Sequence, residues 1–428
     1  MPCNPSLTRR RLLGALGLLC AARPLLAAGP DELVVLTGHA EPALSAFAAA
    51  FRETHPEYRL NLIRRRPHEA LALLSRLGQG GVDVYWSASP RTFEALRQSG
   101  AWRPLRLDRG ELPECVAGLE LVGPQGHYLA TEMVGHGFAI DPPALAALGV
   151  PRPRDWADLA DPRLAGRIAL PVPSQFGFAA AMVDIVLQAH GWERGWALWS
   201  EIAGLSCLVR HGSGTVRDEV GDRRAAVGLS ADAPVADDAP LEFVYPASGG
   251  LAPGHVAITA ASAHPQAAEA FVAFLLSERG QRLLSAPGIR KLPVRPSVYR
   301  QLPAGYHDPF RAAATGAYAY RGDSASGRLG LIATLFEQML VHRHEELCRL
   351  WARVHELERQ RGVRLDEIRR QLCKPPLDER QARDPQLLAI FRRSLEGSPQ
   401  PAGQTGWPQL AEQQRRQAAK RLTELEPA

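Results

Sequence analysis

After residue 28 the chain has no apolar run of membrane length, so nothing there reads as a spanning helix. It has no Cys-x-x-Cys and no paired Cys/His module, which removes the usual structural zinc patterns. It has no P-loop, no Ser–His–Asp order and no recognisable pair of carboxylates, which weakens most enzyme readings. A strong charge of one sign is also missing. The formal net charge is +5, and Arg9, Arg10, Arg11 and Arg23 account for most of it, so no later segment is a polyelectrolyte that would hold nucleic acid. What is present is a globular composition: 428 residues, 46% hydrophobic and 22% charged, enough for two or three domains with a substantial core.

Residues 1–28 read as a cleaved export signal. Thr8-Arg9-Arg10-Arg11-Leu12-Leu13 opens it, a short apolar run from Leu12 to Leu19 follows, and Leu25-Leu26-Ala27-Ala28 offers small residues for cleavage. Eight helical residues rise only about 12 Å, far short of a bilayer. The paired arginines fit twin-arginine export, and general secretion remains the alternative. The mature chain is therefore expected to be soluble and periplasmic. Export permits disulfides, and Cys115, Cys207, Cys348 and Cys373 remain after cleavage. Cys348 and Cys373 flank Gly362, and two antiparallel helices turning there would bring them to similar heights, which predicts a disulfide between them.

Three strand–helix units come next. Glu32 to Thr37 is a buried strand, and Pro42 leads a helix with Ala43, Leu44, Phe47, Ala50 and Phe51 on one face. Tyr58 to Ile63 alternates as a strand and Pro67 opens a helix; Asp83 to Trp86 and Pro90 repeat the pattern. This spacing predicts a right-handed parallel sheet, whose binding crevice lies beyond the carboxyl ends of the strands. The loops there are Thr37-Gly38-His39, Arg64-Arg65-Arg66 and Ser87-Ala88-Ser89. Any one of these hydroxyls or guanidinia is explained as well by helix capping or solvation; three such loops at one edge point to an anion site. Residues 129–250 read as a second α/β lobe, in which Trp192, Trp196 and Trp199 share a core-facing helix side. The chain then returns, so residues 29–128 plus 251–300 form lobe one. Two crossovers between lobes imply a cleft that closes by hinge motion.

Ala268 to Leu284, followed by Leu292-Pro293-Val294-Arg295-Pro296, resembles the closing signature of type 2 periplasmic solute-binding proteins of the ferric-ion-binding group. Trp156-Ala157-Asp158-Leu159-Ala160-Asp161-Pro162 resembles that group's mid-chain motif. More narrowly, the chain is similar to phosphoglycerate transport regulatory proteins, which act with a membrane sensor kinase. The resemblance implies a two-lobe α/β fold without catalysis, a small anionic solute as ligand, and a membrane permease or sensor kinase as partner. It also implies a monomer with no cofactor. Carried over by position, it places Thr37, Gly38, His39, Arg65, Arg66, Ser87 and Ser89 on lobe one, and Ser174, Gln175, Ser213, Gly214, Thr215 and Asp232 on lobe two. Iron-binding members carry adjacent tyrosines where this chain reads Ala231-Asp232-Ala233-Pro234, which disfavours a ferric ion. The arginines suit a phosphate instead, with Asp232 expected to meet a ligand hydroxyl or Arg65/Arg66.

Residues 301–428 go beyond an ordinary binding protein. They read as an αα-hairpin over Leu331 to Leu372, a short helix from Leu387 to Leu395, a loose linker from Pro399 to Pro408, and a polar, frayed end from Gln409 to Leu425. The extension either packs on the lobes or contacts a membrane receptor. His342, His344, Cys348 and His355 are too sparse to read as a metal site. Two rival functions stay open. Arg210-His211-Gly212 resembles the core of histidine phosphatases, and Asp232 with Asp237-Asp238 would seed an acidic cleft for polyamines.

Overall fold

The computed structural model describes residues 32–210, 213–233, 235, 240–318, 320–322, 327–391 and 406–426, without the side chains of residues 177 and 213–215. The export signal, His211-Gly212, Asp237-Asp238 and most of the linker expected over 399–408 lie outside the described residues.

The chain opens with Glu32–Thr37 (β1), Glu41–Thr54 (α1), Arg59–Arg64 (β2), Pro67–Leu74 (α2), Val84–Ser87 (β3) and Pro90–Gln98 (α3). A proline at the start of each helix presets its first turn, where no backbone N–H is needed. A hairpin, Cys115–Val116 (β4) and Leu119–Glu120 (β5), precedes the long strand Leu129–Ile140 (β6). Then come Pro142–Ala147 (α4), Ile168–Pro171 (β7), Gly177–His190 (α5), Trp192–Gly204 (α6), Ser206–Val209 (β8), Ser213–Gly221 (α7), Val227–Ala231 (β9) and Glu242–Val244 (β10). Gly250–Ile258 (β11), Pro265–Leu276 (α8), Glu278–Leu283 (α9) and Leu292–Pro293 (β12) return to the first lobe.

One sheet joins the two halves in the order β2-β1-β3-β11-β6-β9-β7-β8, with β10 and β12 also on β6. The outer trios β2-β1-β3 and β9-β7-β8 are parallel; β11 and β6 run antiparallel to each other and to their outer neighbours. This register makes the cleft. Ser87, the last residue of β3, is level with His255, which is level with Ala130 of β6. Ala231, the last residue of β9, is level with His136. The two parallel sets thus end facing each other across six residues of β6, about 20 Å at the usual rise.

The extension comprises Pro309–Ala314 (α10), Arg328–Phe336 (α11), a π-helical stretch Glu337–Val341, His344–Arg361 (α12), Asp366–Cys373 (α13), Glu379–Ala382 (α14), Pro385–Phe391 (α15) and Trp407–Leu425 (α16). Its first part, Tyr306, Phe310 and Tyr318, packs on the lobe-one core. From α11 onward it shares one hydrophobic core with lobe two: Trp196 and Trp199 of α6 meet Phe336, and the same cluster runs through Leu350, Trp351, Ile368 and Leu422. Gly204 leaves room for the Trp351 ring, which a β-carbon there would strike. Glu201 of α6 accepts from Arg369 Nη1 at 2.7 Å and stands 2.8 Å from His355 Nε2, while Arg369 forks onto Glu358 with two bonds of 2.7 Å.

Two expectations about the extension are corrected. Cys348 and Cys373 are free thiols, as are Cys115 and Cys207. The hairpin does turn at Gly362, in the left-handed region, but α13 is much shorter than α12. Its two cysteines therefore dock on different turns of α6: Cys348 Sγ lies 3.9 Å from the Ala203 carbonyl and Cys373 Sγ 3.7 Å from that of Ala197, about 9 Å apart along the helix. The end of the chain does not fray either. Trp407, Ala411, Arg415, Ala418 and Leu422 form a buried stripe along α16, so a polar composition conceals a narrow docking seam.

Trp351 is fully buried, donates from Nε1 to Ser200 Oγ at 3.2 Å, and carries the Arg369 guanidinium 5.0 Å above its ring. Trp351→Ala is expected to cost about 3–5 kcal/mol in chemical denaturation. An unchanged midpoint would mean that the extension is merely tethered.

Candidate functional site

Three lobe-one loops meet at Gly38. A β-carbon on Gly38 would stand 2.7 Å from Ser87 Oγ and 3.8 Å from the Arg65 carbonyl, so the close approach requires glycine. The Arg65 amide donates to the Thr37 carbonyl at 2.9 Å, which ties the arginine loop to the end of β1. The His39 amide donates to Thr37 Oγ1 at 3.1 Å, and Ser89, beside the start of α3, shares a 2.8 Å hydroxyl bond with Thr92. Thr37, His39, Ser87 and Ser89 are buried; Arg65 and Arg66 are exposed. Arg65 Nη1 bonds to its neighbour's carbonyl, that of Arg64, at 2.9 Å.

Behind this junction lies a buried charge cluster that the sequence reasoning missed. Lys291 Nζ donates to Glu132 Oε1 at 2.9 Å and stands 2.8 Å from His39 Nδ1; His39 Nε2 is 3.1 Å from the same carboxylate oxygen. Trp86 donates from Nε1 to Thr131 Oγ1 at 3.0 Å, and the Thr131 hydroxyl donates to Glu132. Burial alone would raise the Glu132 pKa, but the Lys291 charge and the hydrogen bonds from His39 and Thr131 outweigh it and hold the carboxylate well below its usual range. Burial, then the Lys291 charge, pushes His39 down, so the ring is neutral. Glu132 was detectable as a lone charge in the apolar run of β6, and Lys291 as one of three lysines in the chain.

The lobe-two residues have partners of their own. Ser174, half-buried after β7, donates to Glu337 Oε2 of the extension at 2.6 Å. Gln175 is exposed and its amide bonds to the Val172 carbonyl at 2.9 Å. Ser213, Gly214 and Thr215 open α7. Asp232 requires a correction: it meets neither Arg65 nor Arg66. Its Oδ2 accepts from the Gly135 amide and from Tyr245 Oη, both at 2.9 Å, and Oδ1 accepts from the Ala233 amide at 2.7 Å. It is a buried brace between β9 and the crossover strand. His136, next to that brace, is neutral because burial pushes its pKa to about 4.

Among the described residues no group of three or more His, Cys, Asp or Glu side chains could hold a metal ion, and no helix is long and apolar enough to cross a membrane. The model of the bacterial extracellular solute-binding proteins matches residues 83–310. The chain belongs to that family. This solute-binding protein is 28% identical over 372 residues to the phosphoglycerate transport regulatory protein PgtC of Salmonella typhimurium, covering 84% of this chain and 89% of that one. Among solved structures, the periplasmic binding protein AfuA from Actinobacillus pleuropneumoniae, with fructose-6-phosphate bound, aligns with a TM-score of 0.54 at 19% identity, over 65% of this chain and 88% of that one. Iron-bound HitA from Pseudomonas aeruginosa aligns with a TM-score of 0.55 at 19% identity, over 66% and 92%. The fold is the two-lobe type 2 fold of periplasmic binding proteins, and both family and fold are those of binding proteins rather than enzymes.

Burial raises the Asp232 pKa from 3.8 to about 6, against the lowering effect of its three donors. A carboxyl raised in the folded state contributes stability that is complete below pH 4 and lost as the pH climbs to 6. Relative to Asp232→Asn, the wild-type solute-binding protein should therefore lose about 2–3 kcal/mol between pH 4 and 7. Guanidinium titrations at several pH values measure this; parallel stability curves for the two proteins would refute it.

Proposed function

We propose that the chain is an exported, periplasmic receptor that captures a small phosphorylated organic anion between its lobes. Residues 29–128 with 251–300 act as lobe one and 129–250 as lobe two, and the protein works as a monomer. It hands its cargo to an ABC importer or reports it to a membrane sensor kinase. The observation that carries this reading is the loop of exposed Arg65 and Arg66, whose backbone is fastened through Arg65 to the end of β1 and lies against Gly38, next to Ser87. Guanidinium forks and backbone amides suit phosphate oxygens. PgtC is by its name a regulatory protein of phosphoglycerate transport, and AfuA holds fructose-6-phosphate; both agree with that chemistry.

A ferric ion, as in HitA, is less well served. It needs free anionic oxygens, whereas Glu132 is committed to Lys291 and Asp232 accepts three hydrogen bonds.

A thermal-shift panel of phosphoglycerates, hexose phosphates, phosphonates, polyamines and ferric ion tests the reading. A ligand at 100 times its Kd stabilises by about 2.7 kcal/mol. Arg66→Ala should weaken binding of the phosphorylated hit about 10–100-fold by calorimetry, with an unchanged melt of the free protein. Undiminished affinity, or a shift by polyamine or ferric ion alone, would discard the proposal.

A further inference from the structure

The extension bonds directly to one of the proposed site residues, Ser174. Ser174 follows β7, on the lobe-two side, three residues before α5 begins, and its hydroxyl donates to Glu337 Oε2 at 2.6 Å. Both side chains are half-buried, so each keeps some surface open to solvent. We infer that the extension senses the ligand through this contact: a bound anion and Glu337 compete for the Ser174 proton, so that capture of solute releases the Glu337 side chain. This rests on the reading that the cleft takes a phosphorylated anion.

The exclusion follows from the inventory of a serine hydroxyl, which has one proton to donate. A phosphate oxygen must accept that proton to use Ser174, and while Glu337 holds it the phosphate meets only lone pairs and a like charge. The two anions cannot share the donor.

Glu337 is well placed to pass on its release. It begins the π-helical stretch Glu337–Val341, between α11 and α12, which pack on α5 and α6 respectively. Such wide turns are local departures from α-helical pairing and recur at functional sites. The Met339 carbonyl within it accepts from Arg415 Nη1 at 3.0 Å, and Arg415 is a buried member of α16. A change at Glu337 thus acts on a turn that the last helix of the chain grips, and binding in the cleft is linked to order at that junction. Linkage is reciprocal: whatever steadies the turn with Glu337 on Ser174 weakens the ligand.

The test uses the full chain and 3-phosphoglycerate as probe. Glu337→Ala should tighten binding about 10-fold, within the usual range of coupling, and Glu337→Gln, which keeps the shape and removes the charge, by less. In a Ser174→Ala background most of the gain from Glu337→Ala should vanish. Hydrogen exchange of residues 337–342 should quicken when the probe is added to wild type. Wild-type binding with unchanged or weaker affinity in both Glu337 variants would overturn the coupling alone. No binding of any phosphorylated compound to wild type or variants would overturn the proposed function, and the coupling with it.

Discussion

The antiparallel pairing of β6 with β11 is the constraint from which the rest follows. Each strand serves both halves of the sheet, and their register sets how far apart the two parallel trios end. Hydrogen-bonded strands cannot slip by one residue without turning every side chain to the other face, so the gap is set by the backbone rather than by loops. A cleft framed in this way can still open and close by twisting two strands, which is the usual hinge of a two-lobe protein.

Charge is distributed unevenly around that gap. On lobe one, exposed arginines reach solvent while a half-buried lysine and a buried glutamate neutralise each other behind them, with the neutral His39 ring against both. An ion pair taken out of water contributes little net stability, because desolvation offsets attraction, but removing one partner strands the other. On lobe two, carboxylates from Asp232 and from the extension's Glu337 stand near the strand ends.

From α11 onward the extension belongs to lobe two in the physical sense that one apolar cluster runs through both, whereas Tyr306, Phe310 and Tyr318 pack on lobe one. Its ion network, Glu201 with His355, Arg369 and Glu358, lies on the same contact and specifies how the hairpin sits.

Periodicity alone was enough for the strand–helix units, the tryptophan face of α6 and the turn at Gly362, because each depends on residues close in sequence. The glycine and hydroxyl loops were legible for the same reason: they follow strands. Local pattern failed where partners come from far along the chain. Glu132 and Lys291 are 159 residues apart, Ser174 and Glu337 163, and no spacing rule links such pairs. The two cysteines flank the hairpin turn as expected, yet their heights depend on how unequal arms dock on α6. Asp232 looked free for a ligand until folding brought Gly135 and Tyr245 against it. Sequence by itself determined the elements, the two-lobe class and the loops that edge the cleft, since those follow from backbone propensity and apolar period. Only tertiary structure decided which charges are spent on one another and which remain for a solute, because that depends on burial and on contacts across the whole chain.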